Sequence, residues 1–186
     1  MRVECLDIPA VKMIVPRRFP DARGYFVETY SRRTLADRGI DEAFVQDNHA
    51  YSRHRGTIRG LHFQLPPEAQ AKIVRVTRGS IYDVAVDLRH GSPTYGRFVA
   101  AVLSAENGVQ LYIPTGFARG LCTLEDETEV LYKASAFYAP TLEATIRWDD
   151  PSIGIPWPLD GRPAIVSERD ADATRLAQFD SPFNLP

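Results

Sequence analysis

The 186-residue chain sets 22 Lys and Arg against 24 Asp and Glu, for a formal net charge of −2, with 44% apolar and 25% charged residues. That composition describes a single ordinary globular domain over residues 1–186. With no Lys/Arg run, nucleic acid and anionic membrane surfaces have no electrostatic claim on it, and no apolar stretch nears the roughly 18 residues of a membrane span.

At the start, "MRVECLDIPAVKMIVPRRFP" has no signal-peptide core, because Glu4 and Asp7 interrupt it. Cys5 and Cys122 are too few for a disulfide framework and fit a reducing cytoplasm. "YFVETY" (25–30) reads as a strand, and "SRRTLADRG" (31–39) as a helix capped by Ser31 and stopped at Gly39. "RGLHFQLPPEAQAKIVRV" (59–76) reads as two strands around a Pro-Pro turn, the second continuing through "KIVRVTRG" (72–79). "SIYDVAVDLR" (80–89) alternates, with Tyr82, Val84, Val86 and Leu88 on one face and Asp83, Asp87 and Arg89 on the other. Strands follow at "GRFVAAVLS" (96–104), "VQLYIP" (109–114), "TEVLYKAS" (128–135) and "EATIRW" (143–148). "RHGSPTYG", "SAENG", "PTGFARG" and "LEDET" punctuate them as turns. "SERDADATRLAQF" (167–179) closes the chain with a second helix, capped by Ser167. Many short strands with Gly/Pro punctuation and few helices predict an all-β sandwich or antiparallel barrel.

The usual catalytic signatures are absent: no P-loop, GxGxxG, GxSxG or HExxH occurs. Of the four histidines, His49, His54, His62 and His90, only His62 lies in a mostly apolar strand. A strand-borne metal site wants an HxH pair, and Phe63 and Gln64 follow His62, so no metal is expected. A lone histidine in such a strand is more often a hydrogen-bonded structural residue than a base.

A longer pattern changes the weight of that histidine. "DARGYFVETY", "FVQDNHAYS", "TIRGLHFQ", "AKIVRV", "YDVAVDLRHGSPTYG", "LSAEN", "IPTGFARG", "VLYKASAFYAP", "DDPSIGIPWP" and "SERDA" occur in this order and spacing. Together they resemble the dTDP-4-dehydrorhamnose 3,5-epimerase family from about residue 20 to residue 175. The resemblance implies a cupin-type jelly-roll β-barrel, a homodimer that exchanges N-terminal strands, and no cofactor. Its implied substrate is a dTDP-4-keto-6-deoxyhexose, inverted at C3 and C5 on the way to rhamnose or a related deoxysugar.

Epimerisation beside a ketone needs a base, a stabiliser for the enolate, and an acid on the opposite face; neutral imidazole suits the first near pH 7. By resemblance His62 is the base, Asp170 its carboxylate partner, Tyr132 the proton donor and Lys72 the enolate stabiliser. Taken locally, each has a plainer reading. Tyr132 is a packing residue, Asp170 a favourable charge in a helix's first turn, and Lys72 a solvated strand end. The resemblance further implies nucleotide and sugar contacts from Arg23, Glu28, Gln46, Asn48, Arg59, Arg119, Glu143 and Arg169, with Tyr138 stacking on the thymine.

Two features strain this reading. Arg59 and His62 are an odd number apart and face opposite ways on an ideal strand, so a bulge at Gly60 is needed to join them. Residues 116–120 read "GFARG" where the family pattern is GFAHG, placing Arg119, which only donates hydrogen bonds, beside the sugar. A single-site C3 or C5 epimerase and a non-catalytic nucleotide-sugar-binding barrel remain as alternatives. A metal-dependent cupin oxygenase is disfavoured by the missing HxH pair.

Overall fold

Short alternating strands leave each sheet with an apolar face to bury, and the chain solves this by stacking two sheets face to face. The computed structural model describes residues 1–185. In chain order the strands begin with β1 (Arg2–Cys5), β2 (Lys12–Val15), β3 (Arg18–Asp21) and β4 (Gly24–Val27). After the short helix α1 (Arg32–Ala36) come β5 (Gln46–Ser52), β6 (Ile58–Gln64), β7 (Lys72–Arg78) and β8 (Ser80–Asp87). β9 (Phe98–Ser104), β10 (Gln110–Ile113), β11 (Phe117–Thr123), β12 (Thr128–Ala134) and β13 (Glu143–Thr145) complete the set, and the one-turn helix α2 (Glu168–Ala171) follows.

All paired strands are antiparallel. One sheet runs β1-β2-β10-β7-β12-β5, the other β13-β6-β11-β8-β9, and β3 and β4 form a separate hairpin. Between the sheets lies a core of Val74, Val76, Ile81, Ala85, Leu103, Leu111, Phe117, Leu121 and Val130, drawn from both walls of a jelly-roll barrel. Each fully buried Leu or Ile there contributes roughly 1.5–3 kcal/mol through burial. The outer face of the second sheet is covered by the C-terminal segment, where Ile153, Leu176 and Phe183 pack on Leu61, Val84, Val86 and Leu88. On the first sheet, Leu35 of α1 and Ile40 pack against Ile14, Ile73 and Tyr112.

With both faces of the second sheet covered, the alternation in β8 does not separate a dry face from a wet one. Asp83 and Asp87 are as buried as the valines between them. β11, read from sequence as part of a turn, is a central strand buried along its whole length. Its Gly120 lies in that strand because its antiparallel neighbour β6 comes close there: a Cβ would sit 2.7 Å from Leu61 Cδ2.

The two expected helices are shorter than their patterns. α1 keeps its Ser31 cap, whose Oγ accepts from Thr34 N at 3.3 Å, but ends at Ala36. α2 stops at Ala171, because the following backbone is claimed by tertiary partners. Thr174 O accepts from Arg147 N, and Leu176 N donates to Asp150 Oδ2 at 2.7 Å.

Candidate active site

The register of β6 against β11 decides which side chains share the barrel interior. Arg119 faces His62 and Leu121 faces Arg59, so three steps along β6 span two along β11. The extra residue is a bulge at Gly60–Leu61, and it turns Arg59 and His62 to the same side. Gly60 holds a φ of +126°, and a Cβ on it would lie 2.6 Å from Arg119 O, so only glycine fits.

At this end the two sheets enclose a cavity of about 190 Å³. His62, Arg59, Arg119 and Glu143 line it from one sheet, Lys72 and Tyr132 from the other, with Tyr138 at its edge. His62 therefore faces Tyr132 across the cavity from the opposite wall. A second cavity of about 390 Å³ meets the first at His62, Arg59 and Glu143 and adds Arg169 and Asp170.

Ser167 caps α2 through a 3.1 Å bond from Asp170 N, which turns the Asp170 carboxylate inward. Its Oδ1 lies 2.7 Å from His62 Nε2, and its Oδ2 accepts from Gly60 N at 3.2 Å. Burial raises the Asp170 pKa, but the hydrogen bond and charge of His62, with the Gly60 and Ser167 contacts, more than offset this and hold it below the ordinary value. An ionised carboxylate only accepts, so the imidazole donates from Nε2, and in its neutral form Nδ1 is the acceptor.

Lys72 begins β7 but points inward and is only 9% exposed, unlike a solvated strand end. Burial, reinforced by the charge of Arg119, lowers its pKa to about 8, against the pull of Glu143 and Asp83. Arg119 is equally buried and donates from Nε to Asp83 Oδ1 at 2.8 Å. Burial raises the Asp83 pKa, opposed by Arg119 and Lys72. Asp83 was not among the expected site residues; its only trace in the sequence is an acid set inside a β-branched run.

Glu143 accepts from the Tyr138 hydroxyl at 2.7 Å and from Arg169 Nη1 at 2.8 Å, tying these three residues at the cavity rim. Arg59 is braced by Ser52 Oγ and Tyr51 O. Gln46 bonds to Asn48 and to Tyr138 N behind the rim, and Asn48 lines a smaller cavity beside Tyr132. Arg23 and Glu28 do not line the cavity of their own chain: the β3–β4 hairpin is hydrogen-bonded into neither sheet, and Arg18 at its base donates to Ala105 O just after β9. Arg23 is exposed at the hairpin tip and pairs with Asp21. Among the described residues, no three His, Cys, Asp or Glu side chains gather as a metal-ligand set.

The chain is similar to known proteins over nearly its whole length. The family model described as dTDP-4-dehydrorhamnose 3,5-epimerase matches residues 5–178. A dTDP-4-dehydrorhamnose 3,5-epimerase of Sinorhizobium fredii is 47% identical over 98% of this chain and 93% of its own. The crystal structure of a dTDP-6-deoxy-D-glucose-3,5-epimerase from Legionella pneumophila, in complex with dTDP-4-keto-L-rhamnose, superposes with a TM-score of 0.91 at 39% identity, covering 96% of this chain and 94% of that one. A 3′-monoepimerase from Streptomyces bikiniensis in complex with dTDP-quinovose reaches a TM-score of 0.87 at 36% identity, covering 93% of this chain and 87% of that one.

Proposed function

The chain belongs to the dTDP-4-dehydrorhamnose 3,5-epimerase family, and from that footing we propose that it is an isomerase inverting C3 and C5 of a dTDP-4-keto-6-deoxyhexose for deoxysugar synthesis. The observation that supports this chemistry is a histidine and a tyrosine on opposite walls of one cavity, the histidine's Nε2 held by a carboxylate.

In this reading His62 Nδ1 takes the proton from the carbon beside the 4-keto group. The C–H electrons move to the keto oxygen, and Lys72 stabilises the enolate by donating to it. The Tyr132 hydroxyl returns a proton to the other face of the carbon, inverting it. Solvent then reprotonates the tyrosinate and takes the extra proton from His62. Ring rotation in the pocket presents the second carbon to the same pair. Arg59, Arg169 and the Tyr138–Glu143 pair hold the nucleotide end, guanidinium forks suiting a diphosphate.

The homodimer and a cytoplasmic location belong to the same proposal. Exchange of N-terminal segments would carry Arg23 and Glu28 of one copy to the cavity of the other, which accounts for their distance from their own. The two unpaired thiols suit a reducing compartment, and among the described residues no helix is long and apolar enough to cross a membrane.

Incubation of purified protein with dTDP-4-keto-6-deoxyglucose in deuterated water, read by NMR, tests the function. Label at both C3 and C5 with inverted configuration is expected. Label at one carbon alone would make it a single-site epimerase, the second reading, which rests on the likeness to the monoepimerase. No exchange at either carbon would overturn the enzyme assignment.

A further inference from the structure

Asp83 and Arg119 form a buried pair whose geometry is incomplete on both sides. Arg119 pairs across the ladder with Ala85 of β8, so Asp83, two residues away, is its diagonal neighbour on the inward face. The carboxylate is 0% exposed and does not line the cavity, whereas Arg119 does. Arg119 Nη2 also lies 2.7 Å from Asp83 Oδ1 but makes no aligned hydrogen bond to it, and among the described residues its hydrogens have no acceptor. Among the same residues Asp83 Oδ2 is buried without a donor. A pair retained only for stability gains little from such geometry, since desolvating two charges is repaid only when their remaining hydrogen bonds are met.

Lys72 and Arg119 line the same cavity, and Asp83 offsets only one of their two charges. Glu143, the other carboxylate on this cavity, is bonded to Arg169 and Tyr138, so Lys72 and Arg119 together keep positive charge that suits a developing anion. The guanidinium also reaches from the His62 wall towards Tyr132, its Cζ 5.6 Å from that ring's centroid. We infer that Asp83 is a positioning residue for Arg119, and that Arg119 so held is a second cation, beside Lys72, for the substrate oxygen that becomes the enolate. The inference rests on the epimerase reading. In the ground state that oxygen is a neutral carbonyl; as the C–H bond breaks it takes up the electron pair, and Arg119 gains most at that moment. A donor fixed in advance is worth more than one that must reorganise. Asp83 supplies that fixity without touching substrate.

The test compares Arg119→Gln, Asp83→Asn and the double variant in steady-state turnover and solvent-deuterium exchange, with thermal melting as the control for folding. Arg119→Gln is expected to lower kcat by about 10²-fold, as for loss of one oxyanion donor, with KM near the wild-type value. Asp83→Asn keeps an acceptor oxygen but loosens the guanidinium, and should lower kcat on the order of 10- to 100-fold. If Asp83→Asn fails to fold because it strands a buried cation, the double variant, which removes both charges, still decides the matter. Among the described residues Asp83 bonds to Arg119 alone, so well below pH 8, where Lys72 keeps its charge, the double variant should turn over as Arg119→Gln alone does. A double variant falling well below Arg119→Gln, or an Arg119→Gln that raises KM at unchanged kcat, overturns the inference. Wild-type protein that exchanges no label would instead overturn the epimerase reading beneath it.

Discussion

His62 Nε2 lies 2.7 Å from Asp170 Oδ1, and the same carboxylate reaches through Oδ2 to the amide of Gly60, the glycine of the β6 bulge. One buried acid thus fixes both the imidazole's tautomer and the backbone turn that aims the imidazole into the cavity. The outcome is a ring whose Nδ1 is free to accept a proton while Nε2 cannot swing away.

Removing either partner should stop proton abstraction while sparing the fold. His62→Ala is expected to slow turnover by about 10²–10⁴-fold, the usual contribution of a positioned acid–base group. Asp170→Asn should follow in kind, since an amide stabilises no imidazolium and can favour the other tautomer. Folded His62→Ala with turnover like the wild type would remove His62 as the base.

Tyr132→Phe separates the two proton transfers. Only the hydroxyl is lost, so substrate still binds and His62 still exchanges its proton with deuterated solvent. Net inversion should fall further than exchange, because no acid stands on the far face. Equal loss of both, measured by NMR and product configuration together, would place Tyr132 in binding or in the first step instead.

Strand periodicity and turn residues carry most of the barrel into the sequence, and the gaps in that reading have physical causes. β11 was hidden because Gly120, a breaker in local terms, is required by the close approach of Leu61 on the neighbouring β6. The faces of β8 were misjudged because alternation assumes one solvated side, and here the C-terminal segment covers the outer side. α2 is truncated by bonds to Arg147 and Asp150, partners remote in sequence. In the site, His62 and Asp170 meet across 108 residues and only the family pattern links them in sequence. Asp83 is invisible for a further reason: it serves Arg119, and Arg119 is where the chain departs from the GFAHG pattern.

Gly60→Ala should damage both stability and chemistry. A φ of +126° costs an L-residue on the order of 1–3 kcal/mol, and the added Cβ would meet Arg119 O at 2.6 Å and Gly120 Cα at 2.7 Å. The bulge can relieve this only by shifting register, which turns Arg59 or His62 out of the cavity. Denaturant midpoint and deuterium exchange should fall together; a variant with unchanged midpoint and exchange would mean the bulge does not aim the site.

Lys72 makes the pH dependence of the reaction testable. Its pKa, lowered from 10.5 to about 8 by burial and by Arg119, means that the charged form is lost as pH rises through about 8. Activity that needs the ammonium on the enolate oxygen should therefore fall across that range. The stability contribution has the opposite sign. Below pH 8 the folded state bears the cost of a buried charge, and between pH 8 and 10.5 the unfolded chain binds more protons, so rising pH relieves that cost. Turnover and Lys72's share of stability should move in opposite directions over the same window. Lys72→Met should leave a low, flat rate with no alkaline limb near pH 8. Arg119→Gln, by removing a neighbouring positive charge, should move the limb of its residual activity to higher pH. A wild-type profile level to pH 9.5, or a limb near pH 8 that survives Lys72→Met, would detach the ammonium of Lys72 from the chemical step.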